Sequence, residues 1–160
     1  MIQKITRYAF TIITIAIVCI LISAHGLYNS NKIKVDSLSD RYKDLFYLGA
    51  AINEDIILGK DAQSENIVTS EFNSITPENS LKWMYLQPSP NKFNFIAADK
   101  YVELGIKNNM NIVGHALVWH NQLADFMRNT SSSTEFINHV KNHIHTVVSR
   151  YKGKIDAWDV

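Results

Sequence analysis

The stretch from residue 132 to residue 160, SSTEFINHVKNHIHTVVSRYKGKIDAWDV, changes its hydrophobic period once, and that change decides the fold class. Ser132, with Glu135 three positions on, has the pattern of a capping box. Phe136, Ile137, Val140, Ile144, Val147, Val148 and Tyr151 then trace one stripe at helical spacing. Gly153 ends the helix, and residues 154–160 (KIDAWDV) read as a strand. A long amphipathic helix that runs straight into a strand is the second half of a crossover between parallel strands.

Working backwards, the same alternation recurs. Residues 112–119 (IVGHALVW) form an apolar, strand-like run, and 96–108 are helical, with Ala97, Ala98, Tyr101, Val102 and Gly105 on one face. Residues 74–76 form a brief strand closed by Pro77, and 61–72 form a helix carrying Ile67, Val68 and Phe72. Residues 46–52 (FYLGAAI) are nearly continuous in apolar character, as expected of a buried parallel strand. The order β-α-β-α-β-α-β predicts an α/β fold with a parallel sheet. A (β/α)₈ barrel needs about 250 residues. The body of this chain therefore supplies roughly the first half, β1 to β4, and the chain is expected to be incomplete.

Composition excludes several classes. The 160 residues are 46% hydrophobic and 19% charged with three Pro and six Gly, which is globular rather than disordered or fibrous. Sixteen basic and fifteen acidic residues leave a formal charge of +1 and no patch suited to nucleic acid. Residues 1–26 read as a signal peptide or signal-anchor. Lys4 and Arg7 precede the uncharged run Tyr8 to Ala24, and Ala24-His25-Gly26 suits a signal peptidase. Export, secreted or periplasmic, is expected, with membrane attachment only if the leader is retained. Residues 27–44 read as linker and leading helix, and 45–160 as a truncated catalytic domain. Cys19 is the only cysteine, so removal of the leader leaves no thiol chemistry.

The polar residues gather where a barrel carries its chemistry, at the C-terminal ends of strands. Asn53 and Glu54 follow the first strand, Glu78 and Asn79 the second, with Lys82 and Trp83 close behind. His115, Trp119, His120 and Gln122 close the third, and Trp158 and Asp159 lie on the fourth. Hydrogen-bonding groups beside flat aromatic faces suit a sugar ring, whereas phosphate would favour a Gly-rich loop or clustered Arg. Each residue also has a plainer reading. His115 in an apolar strand reads as a core histidine, and each Trp as a core aromatic. Glu78 and Lys82 could form a surface ion pair. His139 and His143 have zinc-compatible spacing but lack a third ligand, and Val140 stands where a metalloprotease has Glu. No metal and no cofactor are expected.

At Thr76-Pro77-Glu78-Asn79-Ser80-Leu81-Lys82-Trp83 and Gly114-His115-Ala116-Leu117-Val118-Trp119-His120-Asn121-Gln122, the chain resembles the glycoside hydrolase family 10 xylanases. Leu48-Gly49-Ala50-Ala51, Phe93-Asn94-Phe95 with Ala98-Asp99, Arg150-Tyr151-Lys152-Gly153 and Trp158-Asp159-Val160 extend the resemblance in order. It implies a (β/α)₈ barrel and retaining endo-hydrolysis of β-1,4-xylan without a cofactor. The complete protein would be a monomer whose partners are xylan and xylo-oligosaccharides. By position, Glu78, Asn79 and Lys82 would bind the sugar two units from the cleavage point. His115 and Trp119 would wall the adjacent sugar, His120 and Gln122 would line the same cleft, and His120 would support the catalytic shell. Ala124 and Phe126 stand where the family usually has Pro and Trp. No catalytic residue is expected in this chain. In the family, Trp-Asp-Val leads into Val-Asn-Glu, whose Glu is the acid/base, and the nucleophile Glu follows later. Two rival readings are a non-catalytic or membrane-anchored remnant of the fold, and a metal-dependent hydrolase using His115 and His120. The second rival is disfavoured because residues five apart on an extended segment face opposite sides.

Overall fold

The computed structural model describes residues 15–19 and 36–160, and residues 15–19 are helical. No helix among the described residues is long and apolar enough to cross a membrane. The leader expectation otherwise falls on residues 1–14 and 20–26, outside the described residues, as does 27–35 of the linker and leading helix; residues 36–44 of that span are described.

Residues Asp36–Val160 form a unit of their own. Its elements are α1 (Leu38–Tyr42), β1 (Gly49–Ile52), α2 (Glu54–Ile57), α3 (Ala62–Glu71), β2 (Ser74–Pro77), α4 (Trp83–Leu86), α5 (Ile96–Lys107), β3 (Asn111–Gly114), α6 (Asp125–Arg128), α7 (Ser133–Arg150) and β4 (Ala157–Trp158). The four strands make one sheet in the order β1-β2-β3-β4, every pair parallel. Gly49 lies opposite Ser74, Ser74 opposite Asn111, and Val113 opposite Ala157. This is the alternation expected from the periodicity.

Local chemistry explains where the helices begin. The Asp61 carboxylate accepts from the Ser64 amide at 3.0 Å to start α3, and the Ser132 hydroxyl accepts from the Glu135 amide at 3.3 Å to start α7. Asn53 caps α2 through the Ile56 amide at 3.1 Å. Its position after β1 thus has a structural use.

Several elements depart from the sequence reading: α2, α4 and α6 are short helices it did not mark, and β4 is confined to Ala157–Trp158 within the expected 154–160. The first strand starts at Gly49, not Phe46, and Phe46 and Tyr47 are 52% and 67% exposed. The third strand stops at Gly114, because its backbone turns there across the Trp158 indole with no room for a Cβ. The Leu117 amide then donates to the Asp159 carbonyl at 2.9 Å, so residues 115–119 are loop and not strand. On α7, Ile137 faces solvent at 48% exposure, and the stripe runs instead through Phe136, Val140, His143, Val147 and Tyr151.

The core fills the space between sheet and helices. Ile52, Ile75 and Ile112 are buried on β1, β2 and β3, against Ala98, Tyr101 and Val102 of α5 and Val147 of α7. Gly105 is required where α5 meets β3, since a Cβ there would lie 2.5 Å from Ile112 Cγ1 and 3.2 Å from Ile75 Cδ1. The Tyr101 hydroxyl sits 2.7 Å from the carbonyl oxygens of both Ile75 and Val113, a polar tie between β2 and β3 near the end of their paired register. The Asp156 carboxylate accepts from the Ile112 amide at 2.7 Å, and the Asp156 amide donates to the Ile112 carbonyl at 2.9 Å. On the outside, Arg150 of α7 grips Asp99 of α5 through two bonds of 2.9 and 2.6 Å.

The core also buries Ser74, Ser80, Gln87 and His143, of which Gln87 and His143 are 0% exposed. His143 is the titratable one. Its ring stacks on Trp83 with centroids 4.0 Å apart, and its Nδ1 lies 2.9 Å from Gln87 Oε1. Burial pushes its pKa down to about 4.

Two outcomes follow from this core. Gly105→Ala gains helix propensity but forces Ile112 aside, and it should lose about 1–3 kcal/mol in chemical denaturation. An unchanged midpoint would mean that the helix–strand contact yields freely. As pH falls from about 6.5 towards about 4, the unfolded chain binds a proton that buried His143 refuses, so stability should decline by roughly 2–3 kcal/mol. His143→Phe should flatten that slope; parallel slopes for variant and wild type would contradict it.

Candidate functional site

Parallel strands that share a direction end on one side of the sheet, and the loops after β2 and β3 meet there through side chains. Asn79 is the junction. Its Oδ1 accepts from Lys82 Nζ at 3.2 Å and from Gln122 Nε2 at 3.2 Å. With its oxygen occupied by two donors, Asn79 has its Nδ2 protons to offer outward. Lys82 Nζ also stands 4.8 Å over the Trp119 ring, within cation–π range. Gln122 has φ 53°, a left-handed turn that brings its side chain back to Asn79. Its Nε2 is also 3.4 Å from the Tyr85 hydroxyl, and its carbonyl accepts from the Met84 amide at 3.1 Å.

The histidines lie further along the same edge. His115 Nδ1 is 2.8 Å from Asp159 Oδ2. A carboxylate can only accept, so Nδ1 carries the proton of this contact and Nε2 is left for another partner. The His115 ring lies 5.9 Å from Trp119, and Trp119 lies 5.8 Å from the exposed His120. The His115–Ala116 peptide is cis. Glu78 is exposed, and its amide continues the β1–β2 ladder to the Ile52 carbonyl at 2.9 Å.

All seven candidate residues therefore fall on the loops at the C-terminal ends of the strands, and six of them (Asn79, Lys82, His115, Trp119, His120 and Gln122) share contacts within those loops. The structure decides several plainer readings. His115 is not a core residue, since its side chain is 28% exposed and paired with Asp159. The Lys82 amine is directed to Asn79 and Trp119, so the Glu78–Lys82 helix pair is replaced by a loop contact. Trp83 is core, at 2% exposure beside Ala124 and Met127, and Trp158 is half-buried against the main cluster, its ring 6.5 Å from Tyr151. Only Trp119 offers a face at the site. The argument from an extended His115–His120 segment lapses, because that segment is loop. His139 lies 3.6 Å from Glu135 while His143 is bonded to Gln87 in the core, so the two do not converge. Among the described residues, no three His, Cys, Asp or Glu side chains are grouped to hold a metal.

Two contributors escaped the sequence reading: Asp159 as the partner of His115, and the Tyr85 hydroxyl beside Gln122. The first had a signal. Gly114 pairs with Trp158, so the residues one step beyond each, His115 and Asp159, must be neighbours.

The arrangement offers donors from Lys82 and Asn79, an acceptor from Glu78, the Nε2 of His115, and the flat face of Trp119. It has the makings of a cleft for a polyhydroxylated ring.

The profile of Glycosyl hydrolase family 10 matches residues 37–160. The chain is 38% identical over 152 residues to a beta-1,4-xylanase of Dictyoglomus thermophilum, covering 94% of this chain and 42% of that protein. It is 33% identical over 147 residues to endo-1,4-beta-xylanase B of Thermotoga neapolitana, covering 91% and 42%. Among solved structures, xylanase 10B of Thermotoga petrophila in complex with xylobiose superposes with a TM-score of 0.75 at 36% identity, over 81% of this chain and 41% of that one. The chain thus spans about two-fifths of the length of these relatives. Its four parallel strands are a part of the (β/α)₈ barrel. On the profile match, the identities and the superposition together, the chain belongs to glycosyl hydrolase family 10.

Proposed function

We propose that the protein works in the endo-hydrolysis of β-1,4-xylosidic bonds, with retention of configuration, and that residues 36–160 supply the glycone side of its cleft. The observation that carries this reading is the Asn79 junction, where Lys82 and Gln122 converge beside the Trp119 face. The xylanase names of the relatives and the xylobiose complex of one of them support the choice of sugar. In this reading Glu78, Asn79 and Lys82 hold the sugar two units from the bond broken. His115 and Trp119 bound the adjacent sugar, and His120 and Gln122 line the same cleft.

The mechanism assigns these residues binding and not proton transfer. Retaining hydrolysis uses two carboxyls about 5–5.5 Å apart, one as acid/base and one as nucleophile. Glu78 sits at a binding position, and the two reacting carboxyls belong to the part of the family barrel that these residues do not span. His115, fixed by Asp159, would contact hydroxyls that move as the ring distorts towards its oxocarbenium-like state. Contacts that tighten in the transition state raise kcat, whereas uniform contacts lower KM. We further propose export, carried by Lys4, Arg7 and the uncharged run that follows them.

Two outcomes test the reading. In the complete enzyme, Glu78→Ala and Asn79→Ala should each lower kcat/KM on xylo-oligosaccharides by roughly ten- to a hundredfold, the equivalent of about 1–3 kcal/mol of lost contact. Wild-type kinetics for both would remove these residues from the cleft. Produced as these 160 residues, the protein should release no reducing sugar from xylan above a mock preparation. Measurable release would place a catalytic pair within them.

A further inference from the structure

We propose that His143 of α7 is a positioning residue that fixes the one-turn helix α4, and through it Lys82, at the edge of the site. The placement of α4 is independent of any sugar; its consequence for ligand binding rests on the xylan reading.

Four residues make a single turn, and an isolated turn does not hold itself in water. Lys82, at the head of α4, has no side-chain cap bond, and its carbonyl accepts from the Tyr85 and Leu86 amides at 3.1 and 3.0 Å. The turn must therefore be held from outside. His143 reaches both of its ends, because Trp83 and Gln87 are four apart and share a face. The ring lies on Trp83 at 4.0 Å and 11°, and Nδ1 meets Gln87 Oε1 at 2.9 Å. Phe93 stacks near the same ring, with centroids 6.2 Å apart.

α4 and its N-terminal Lys82 also touch both loops of the site. The Met84 amide donates to the Gln122 carbonyl at 3.1 Å, and Lys82 Nζ donates to Asn79. α4 is thus the link between a core histidine and the Asn79 junction.

An apolar residue would be the simpler choice at position 143, which lies on the stripe between Val140 and Val147. The polar pair is kept although His143 Nε2 and Gln87 Nε2 have no hydrogen-bond partner among the described residues. Buried polar contacts of this kind favour one arrangement over others more than they add stability. Stacking alone lets a turn rotate or slide; a directional bond to its last residue fixes its rotation about its own axis.

The test is amide hydrogen exchange on the full chain, with His143→Phe keeping the stack and removing the bond. Exchange at the Met84, Tyr85 and Leu86 amides should quicken tenfold or more, while β2 and α5 amides change by less than twofold. Unchanged exchange in α4, or equal acceleration throughout, would overturn the proposal and leave His143 a packing residue. Should that variant fail to fold, Gln87→Leu leaves the stack intact and should give the same local pattern at about threefold or more; its absence is equally fatal. A second arm measures xylotriose affinity in the complete enzyme. His143→Phe should weaken it about tenfold in the wild-type background and less than twofold beside Lys82→Ala, because the effect passes through Lys82. Additive losses would overturn the proposal. No xylotriose binding by the wild-type enzyme, with the local exchange pattern present, would refute the xylan reading and leave the α4 assignment standing.

Discussion

Parallel pairing of four strands in chain order forces each to end on the same side of the sheet, and every feature of the candidate site depends on that. The pairing is held by more than the ladder. Tyr101 ties the carbonyls of β2 and β3 where their register ends, and Asp156 bonds both the amide and the carbonyl of Ile112. At the opposite end, the Asn73 side chain accepts from the Leu48 amide at 2.7 Å, and the Asn73 carbonyl accepts from Asn111 at 2.8 Å. With the strands locked in this way, residues far apart in sequence become fixed neighbours. Asn79 meets Gln122 across 43 positions, and His115 meets Asp159 across 44.

The network so assembled is polar and open. In the free protein its bonds compete with water, and each adds little to stability. A ring lying over Trp119 would exclude that water and strengthen the same bonds through the lower local dielectric. This division suits a binding edge built on a rigid frame: the apolar core sets position, and the loops supply donors and acceptors. The tie between them is α4, too short to be autonomous, which meets both His143 and the two loops.

Much of this was legible in the sequence. The period change across residues 132–160 and the short apolar runs before it give the element order, and the cap at Ser132 marks the start of the longest helix. The polar positions after each strand mark the edge that carries the site. What the sequence conceals is geometric. Nothing in IVGHALVW says that the strand ends at Gly114, because the cause is the Trp158 ring 44 residues away. Phe46 and Tyr47 look like strand because an apolar run does not show by itself that the pairing begins only at Gly49. His143 looks like one of a spaced histidine pair, and only packing shows that it belongs to Trp83 and Gln87. The Asp159 partnership follows once the register is known, since Gly114 pairs with Trp158 and the residues one step beyond each are His115 and Asp159.

The central claim is that the edge formed by the β2 and β3 loops binds a β-1,4-linked pentose chain. The most direct measurement is a titration of the isotopically labelled complete protein with xylotriose, followed by nuclear magnetic resonance at assigned side chains. The account predicts saturable shifts at the Trp119 indole N–H, the Asn79 and Gln122 side-chain amides and the His115 ring, with the Trp83 indole and the β-strand amides nearly still. Saturable shifts confined to other surfaces, with these four groups unmoved, would contradict it.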